Sequence, residues 1–279
     1  MINAFIAGWP ISHSLSPVLH GYWLRLHGIA GSYQAIAVPP EEFATFFCGL
    51  AQAGLKGGNI TIPHKEAAFA LCDELDEEAS TIGAVNTVVV EDGRLLGRCT
   101  DGFGFAANLD DGAPHWRQCR TALLLGAGGA ARAIIHSMIQ AGISSIQIAN
   151  RSLERAEKLA DEFGPATSAI SLAQAALEVE SCELVVNTTS LGMGRDTRTP
   201  LSLERAAPGT IVSDAVYVPL ETPLLAEARV RGLTVVDGLG MLLHQAIPGF
   251  ELWFGVRPQV DLRLRQHVLA ELAARDAAR

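Results

Sequence analysis

Gly126-Ala127-Gly128-Gly129-Ala130-Ala131 is the stretch whose reading decides the architecture. Residues 122–125 before it are small or apolar and read as a buried strand; residues 130–140 after it have the length of a helix. Strand, glycine turn and helix, in that order, turn a weak G-x-G-x-x-(G/A) match into a dinucleotide site. Small residues let the backbone approach a pyrophosphate, and the helix start offers it free N–H groups and a partial positive charge. Gly126, Ala127, Gly128, Gly129 and Ala130 are therefore expected to face the cofactor. A second strand, Ser145–Ala149, ends in Asn150-Arg151-Ser152, with Arg155 one turn further. A site for NAD usually places an acid here to accept from the ribose 2′-hydroxyl. Two guanidinium groups instead favour a 2′-phosphate, so the expected cofactor is NADP, held there by Asn150, Arg151, Ser152 and Arg155.

Working outward, a βα series runs from Thr121 to Asp237. Its strands are residues 122–125, Ser145–Ala149, Leu184–Asn187, residues 211–213 and residues 233–236, and helices separate most of them. This is the doubly wound pattern. The first hundred residues are also α/β but lack a nucleotide fingerprint. Strands are expected at Ile2–Gly8, residues 32–38 and residues 55–62, the last interrupted by Gly57-Gly58. A hairpin reads residues 86–91, an Asp92-Gly93 turn, then Arg94–Arg98. Helices are expected at residues 17–27, 40–53, Lys65–Leu71 and 75–81, with a connecting helix at 100–112. The end of the chain reads as two helices, residues 241–254 and 260–274, able to pack back on the first domain. The fold class is thus two α/β domains: residues 1–101 plus 239–279, and a Rossmann-type domain at 102–238.

Bulk properties narrow the function classes. The 279 residues are 49% hydrophobic and 18% charged, which reads as a folded globular chain. No apolar run reaches the roughly 18 residues of a membrane span, and no signal peptide is evident. Five scattered cysteines without a C-x-x-C pair read as reduced thiols in a cytoplasmic protein, with no metal site. A net charge of −9 argues against nucleic-acid or membrane-surface binding, so an anionic ligand must be held by a few local cations. Of the 21 basic residues only Lys56, Lys65 and Lys158 are lysines. A lysine inside a motif of this chain therefore points to an amine that titrates, which a guanidinium in practice does not.

Five further polar clusters remain. Ser14 and Ser16 lie in Gly8-Trp9-Pro10-Ile11-Ser12-His13-Ser14-Leu15-Ser16-Pro17, and read either as helix N-caps or as ligand contacts. In Asn59-Ile60-Thr61-Ile62-Pro63-His64-Lys65, strand alternation puts Asn59 and Thr61 on one face and Lys65 in the first turn of the next helix. A lysine there opposes the helix dipole, and a locally broken rule marks a candidate functional position. The others are Gly83-Ala84-Val85-Asn86-Thr87, Thr100-Asp101-Gly102-Phe103-Gly104, and Gly238-Leu239-Gly240-Met241-Leu242-Leu243-His244-Gln245, whose Gln245 faces away from solvent by pattern.

Together, in this order and around an NADP-type turn, these elements make the chain resemble the shikimate dehydrogenase family from Phe5 to about Phe250. Two more of the family's elements are present: Asn187-Thr188-Thr189-Ser190-Leu191-Gly192-Met193, and the run from Asp214 to Leu225. The resemblance implies an NADP-dependent oxidoreductase that interconverts 3-dehydroshikimate and shikimate, on the route to chorismate and the aromatic amino acids. It implies an N-terminal substrate domain and a C-terminal NADP domain. Ser14 and Ser16 would bind the substrate carboxylate with Tyr217 nearby. Asn59, Thr61, Asn86, Asp101 and Gln245 would bind its hydroxyls, with Lys65 and Asp101 at the carbonyl being reduced. Thr188, Ala215, Gly238 and Met241 would join the cofactor-binding set, the last three near the nicotinamide. Two positions depart from the family pattern, Cys99 where Asn is usual and Trp9 in a turn that is usually less aromatic. Alternatives are a quinate/shikimate dehydrogenase of the same family, often NAD-preferring, and a non-catalytic metabolite-binding paralogue. The expected assembly is a monomer or homodimer.

Overall fold

A computed structural model describes residues 2–277; Met1 and residues 278–279, the outermost ends of the expected substrate domain, lie outside it. The chain divides into two compact units, one running to Asp101 and resuming at Leu242, the other Gly102–Met241.

The first unit is built on a six-stranded sheet. Its strands are β1 (Ile2–Gly8), β2 (Gly31–Ala37), β3 (Gly57–Ile60), β4 (Glu74–Leu75), β5 (Thr87–Glu91) and β6 (Arg94–Arg98), in the order β2-β1-β3-β5-β6-β4. β1 is parallel to β2 and β3, whereas β5 runs antiparallel to β3 and β6. The ends of β1, β3 and β6 and the start of β5 therefore share one edge of the sheet.

Gly57 and Gly58 do not interrupt β3 but let it sit between its neighbours. A Cβ at Gly57, whose φ is +149°, would lie 2.2 Å from the Val88 carbonyl oxygen and 2.4 Å from Trp253 Nε1. A Cβ at Gly58 would lie 2.5 Å from the Phe5 carbonyl oxygen. The core is aromatic: Trp23, Phe250 and Trp253 are buried, and Trp253 Nε1 donates to the Val88 carbonyl at 2.9 Å. The helices Leu239–Phe254 and Leu262–Ala277 bring the end of the chain onto this unit, where Trp23 Nε1 donates to the Gln259 carbonyl.

The second unit carries β7 (Thr121–Leu125), β8 (Ser145–Ala149), β9 (Thr167–Ile170), β10 (Leu184–Asn187), β11 (Ile211–Asp214) and β12 (Thr234–Val236), all parallel. Their order is β12-β11-β10-β7-β8-β9. A parallel sheet is covered on both faces, and alternate residues of each strand enter opposite cores. Ala122, Leu124, Leu184 and Val186 pack with Phe105, Leu109, Ile134 and Met138. Leu123, Leu125, Val185 and Val212 pack with Val179, Leu224 and Leu225. The strand order reverses between β7 and β10, the switch point at which open α/β sheets bind ligands.

Several elements differ from expectation. The helix expected at 40–53 is a 3₁₀ turn, Pro40–Glu42, followed by a short helix, Phe43–Cys48. Glu74–Leu75 pairs as a strand with β6, so the helix after it is Glu77–Ile82. β9 has no counterpart in the sequence reading. Its Thr-Ser-Ala-Ile is short, half-buried and without apolar alternation.

Candidate active site

In the first unit the shared sheet edge gathers polar side chains in an otherwise apolar interior. Lys65 opens the helix Lys65–Leu71, and Asp101 opens the helix Asp101–Gly112, where an acid suits the helix dipole. Lys65 Nζ donates to Asp101 Oδ2, and the two side chains are only 14% and 8% exposed. Burial works to lower the Lys65 pKa, but the Asp101 carboxylate, by its charge and its hydrogen bond, helps carry the net shift upward.

Asn86 organises the surroundings of this pair. Its Nδ2 donates to Asp101 Oδ1 at 2.8 Å and reaches Gln245 Oε1 at 3.4 Å, while its Oδ1 accepts from the Thr100 backbone N–H at 2.8 Å. Thr100 Oγ1 donates to the Gln245 carbonyl at 2.8 Å. Asn59 is also buried, and its Nδ2 donates to the Asn86 carbonyl and to Thr87 Oγ1, both at 3.1 Å. Asn59 Oδ1 accepts from the Tyr33 hydroxyl at 2.6 Å.

Ser14 and Ser16 are not N-caps in the expected sense. Leu15 occupies the cap position without a side-chain bond, and Ser14 Oγ accepts from the Ser16 N–H at 3.2 Å. Arg275 steadies this turn from the last helix, its Nη1 reaching the Ser14 carbonyl at 3.3 Å. Ser16 is buried beside Tyr33, and its hydrogen bond opposes the upward push that burial gives the Tyr33 phenol. Thr61 follows β3, half-buried, with its N–H on the Ala7 carbonyl at 2.9 Å. His20, one helical turn after Ser16, lies among Tyr33, Trp23, Phe250 and Trp253. Neither of its ring nitrogens has a partner in hydrogen-bond geometry. Burial drives its pKa down to about 3, with Asn59 pulling weakly the other way, so the ring is neutral at physiological pH.

In the second unit the residues after β7, β8, β10 and β11 form the corresponding group. Gly126 has φ +112°, and a Cβ there would lie 2.5 Å from Thr188 Oγ1. That threonine bonds the Leu125 carbonyl at 2.8 Å, across the switch point. Gly128 opens the helix Gly129–Gln140 in extended conformation with no side-chain cap, and nothing lies within 4 Å of where its Cβ would be. Uncapped N–H groups beside an open approach fit a pyrophosphate. Asn150 Nδ2 donates to the Ser152 carbonyl at 3.0 Å, and Arg151 and Arg155, expected at a 2′-phosphate, are exposed after β8.

Asp214 is buried and accepts from Asn187 Nδ2 at 2.9 Å, the Val216 N–H at 2.9 Å and Thr222 Oγ1 at 2.7 Å. Burial pushes its pKa upward. This network fixes the segment carrying Ala215 and the half-buried Tyr217. A Cβ on Gly238 would lie 2.6 Å from the Ala215 carbonyl oxygen, so those two expected cofactor residues are neighbours. Met241 packs, partly buried, on the core that includes Phe105 and Ile134.

The chain matches known proteins along nearly all its length. Residues 6–88 match the shikimate dehydrogenase substrate binding domain, 113–198 the shikimate/quinate 5-dehydrogenase family, and 238–262 the shikimate 5′-dehydrogenase C-terminal domain. It is 52% identical over 274 residues to the shikimate dehydrogenase (NADP(+)) of Brucella abortus (strain S19), covering 97% of this chain and 95% of that one. The chain belongs to the shikimate dehydrogenase family. Its fold is shared with the shikimate 5-dehydrogenase of Thermus thermophilus, solved in complex with NADP(H) and shikimate, at TM-score 0.87, 37% identity and 99% coverage of each chain. The quinate dehydrogenase of Corynebacterium glutamicum, in complex with NAD, aligns at TM-score 0.89 and 30% identity, over 96% of this chain and 99% of that one.

The structure thus joins five residues the motifs of this family single out, Asn59, Lys65, Asn86, Asp101 and Gln245, in one cluster. Thr87 and Thr100 belong to it as well; both lie within the polar motifs at residues 83–87 and 100–104, where nothing but their place beside Asn86 and Asp101 signals a role. Asn187 and Asp214 had a visible signal, as polar ends to the apolar strands Leu184–Asn187 and Ile211–Asp214. Tyr33 had none.

Proposed function

We propose that the chain catalyses the reversible NADPH-dependent reduction of 3-dehydroshikimate to shikimate, a step toward aromatic amino acids. The observation that carries this reading is the buried Lys65–Asp101 pair set among the amides and hydroxyls of Asn59, Asn86, Thr100 and Gln245. NADPH, when bound, supplies the hydride. Gly126, Ala127, Gly128, Gly129 and Ala130 receive its pyrophosphate, and Asn150, Arg151, Ser152 and Arg155 its 2′-phosphate. Thr188, Ala215, Gly238 and Met241 complete the cofactor set.

Negative charge grows on a ketone oxygen as its carbon is reduced. An ammonium within hydrogen-bond reach stabilises that charge and donates the proton, and Lys65 is assigned this part. Asp101 orients the ammonium and Asn86 orients Asp101. The upward shift at Lys65 keeps it protonated at neutral pH, so it is the acid in the reducing direction. In the oxidising direction the same pair stands where the substrate hydroxyl gives up its proton. Ser14 and Ser16, with Tyr217, bind the carboxylate. Asn59, Thr61, Asn86, Asp101 and Gln245 bind the hydroxyls, and a site that must pair several buried hydroxyls rejects analogues lacking them. Residues 1–101 with 239–279 act as the substrate domain and 102–238 as the nucleotide domain. The enzyme works as a monomer or homodimer in the cytoplasm, a compartment in keeping with its free cysteines.

The likeness to a quinate dehydrogenase favours a second reading, oxidation of quinate with NAD. Arg151 and Arg155, suited to a 2′-phosphate, weigh against it. Absorbance at the NADPH band decides between them. Turnover is expected with shikimate and NADP+, and little with quinate and NAD+. The opposite order would establish the second reading, and silence with both pairs would remove the first. Lys65→Ala is expected to lower kcat by about 10²- to 10⁴-fold with only a few-fold change in KM; an effect on KM alone would deny Lys65 its role.

A further inference from the structure

Tyr33 lies on β2, two strands from Asn59. The parallel registers set Tyr33, Ala4 and Gly57 in one row across the sheet, and Ala35, Ile6 and Asn59 in the next row on the same face. Ala4 and Gly57 add almost no bulk, so the phenol crosses above β1 and reaches Asn59 Oδ1 at 2.6 Å. Its ring stacks on His20, with centroids 3.9 Å apart and planes 11° from parallel.

The polarity of this bond follows from its neighbours. The Asn86 carbonyl accepts only, so Asn59 must turn Nδ2 toward it. The second Nδ2 proton goes to Thr87 Oγ1, whose own proton goes to Asn86 Oδ1 at 3.0 Å. Both amide protons are thus committed. Asn59 Oδ1 has two acceptor positions; Tyr33 fills one, and His20, whose ring nitrogens have no partner in hydrogen-bond geometry, also bears on this amide. The chain of bonds then continues from Asn86 to Asp101 and Lys65.

We infer that Tyr33 is a positioning residue for the substrate: by donating to Asn59 it leaves that amide a single acceptor, matched to one hydroxyl of a polyhydroxylated ring. This rests on the reading of the chain as a shikimate dehydrogenase and deepens it. Tyr33 also links the turn that carries Ser16 to the Lys65–Asp101 pair. Without the phenol proton, Asn59 Oδ1 has two open positions in a buried site and loses its preference for one donor geometry.

The test compares wild type with Tyr33→Phe, which keeps the ring stacked on His20 and removes only the hydroxyl. Shikimate is assayed beside its two mono-deoxy analogues, each lacking one ring hydroxyl that the reaction does not oxidise. The expected result is a rise of about tenfold in KM for shikimate, worth about 1.4 kcal/mol, with KM for NADP+ and kcat changed less than threefold. The wild-type preference for shikimate over one of the two analogues should shrink by a similar factor. An unchanged KM, or an equal loss for shikimate and both analogues, would overturn the role. If Tyr33→Phe does not fold, wild-type protein labelled with 3-fluorotyrosine replaces it, since the chain has only three tyrosines. Tyr22→Phe and Tyr217→Phe assign the fluorine signals. The Tyr33 signal should move at saturating shikimate, and a signal that stays in place overturns the role. Wild-type turnover is the control: its absence removes the functional reading, whereas turnover with an unaltered Tyr33→Phe removes only the part given to Tyr33.

Discussion

Lys65 shows how two neighbours set the behaviour of one amine. Burial alone would lower its pKa, and Asp101 is foremost in reversing that. Asp101→Asn keeps the shape and removes the charge, leaving burial dominant. The alkaline limb of the NADPH-driven reduction should therefore move to lower pH in that variant, read from kcat between pH 7 and 11. An unmoved limb would place the ionisation elsewhere. His20 carries the opposite sign. Its folded pKa of about 3 lies below the usual value near 6.5, so between those values the unfolded chain binds a proton that the native state does not. Stability is then lost as pH falls through that window. Urea unfolding at pH 7.5 and pH 5 should show wild type losing about 2 kcal/mol more than His20→Phe. Part of this was legible in the sequence: Lys65 stood out as a rare lysine against a helix dipole, and the family resemblance set it with Asp101 at the reacting carbonyl. The burial that works against its charge, and everything about His20, belong to the folded state and leave no mark in the sequence.

At the level of strands and turns, the pattern of apolar residues located Ile2–Gly8, Ser145–Ala149, Leu184–Asn187 and the hairpin turn without help from tertiary structure. The glycine turn after β7 was legible for the same reason: its chemistry is local. Gly57-Gly58 was not, since an absent side chain does not show what it makes room for. Gly57→Ala puts a methyl group 2.2 Å from a carbonyl oxygen, at a φ that alanine avoids. It should lower the melting temperature by roughly 10 °C or more, on the order of 3 kcal/mol. Scanning calorimetry checks this, and a melt within 2 °C of wild type would show that β3 has room to shift. The helix expected at 40–53 failed in the other direction: helical spacing persists in the sequence, yet after Cys48 the residues are held by turns at Gly49 and Leu50.

Across the whole molecule, 30 acidic residues outnumber 21 basic ones, so a phosphorylated ligand is met by local cations and not by a basic field. Arg151 and Arg155, the two proposed for it, are both exposed. Replacing both with alanine should raise KM for NADP+ by about two orders of magnitude while changing that for NAD+ by less than threefold. The NADP+ effect should shrink as salt rises, because exposed charges are screened. Equal losses for the two nucleotides would show that the arginines hold something other than the 2′-phosphate.

The route of the chain through the first unit bears on how the protein is made. Trp253, Phe250 and Gln245 complete a core and a polar cluster whose other members, Val88, His20, Asn86 and Thr100, leave the ribosome 145 residues or more earlier. The stretch Gly102–Met241 is continuous and has its full complement of strands as soon as it emerges. Translation thus delivers the nucleotide-type sheet whole while the opening strands still wait for Trp253. Losing the segment from Leu242 onward would strip the lysine–aspartate cluster of its Gln245 side, yet remove no strand of the sheet that carries the glycine turn.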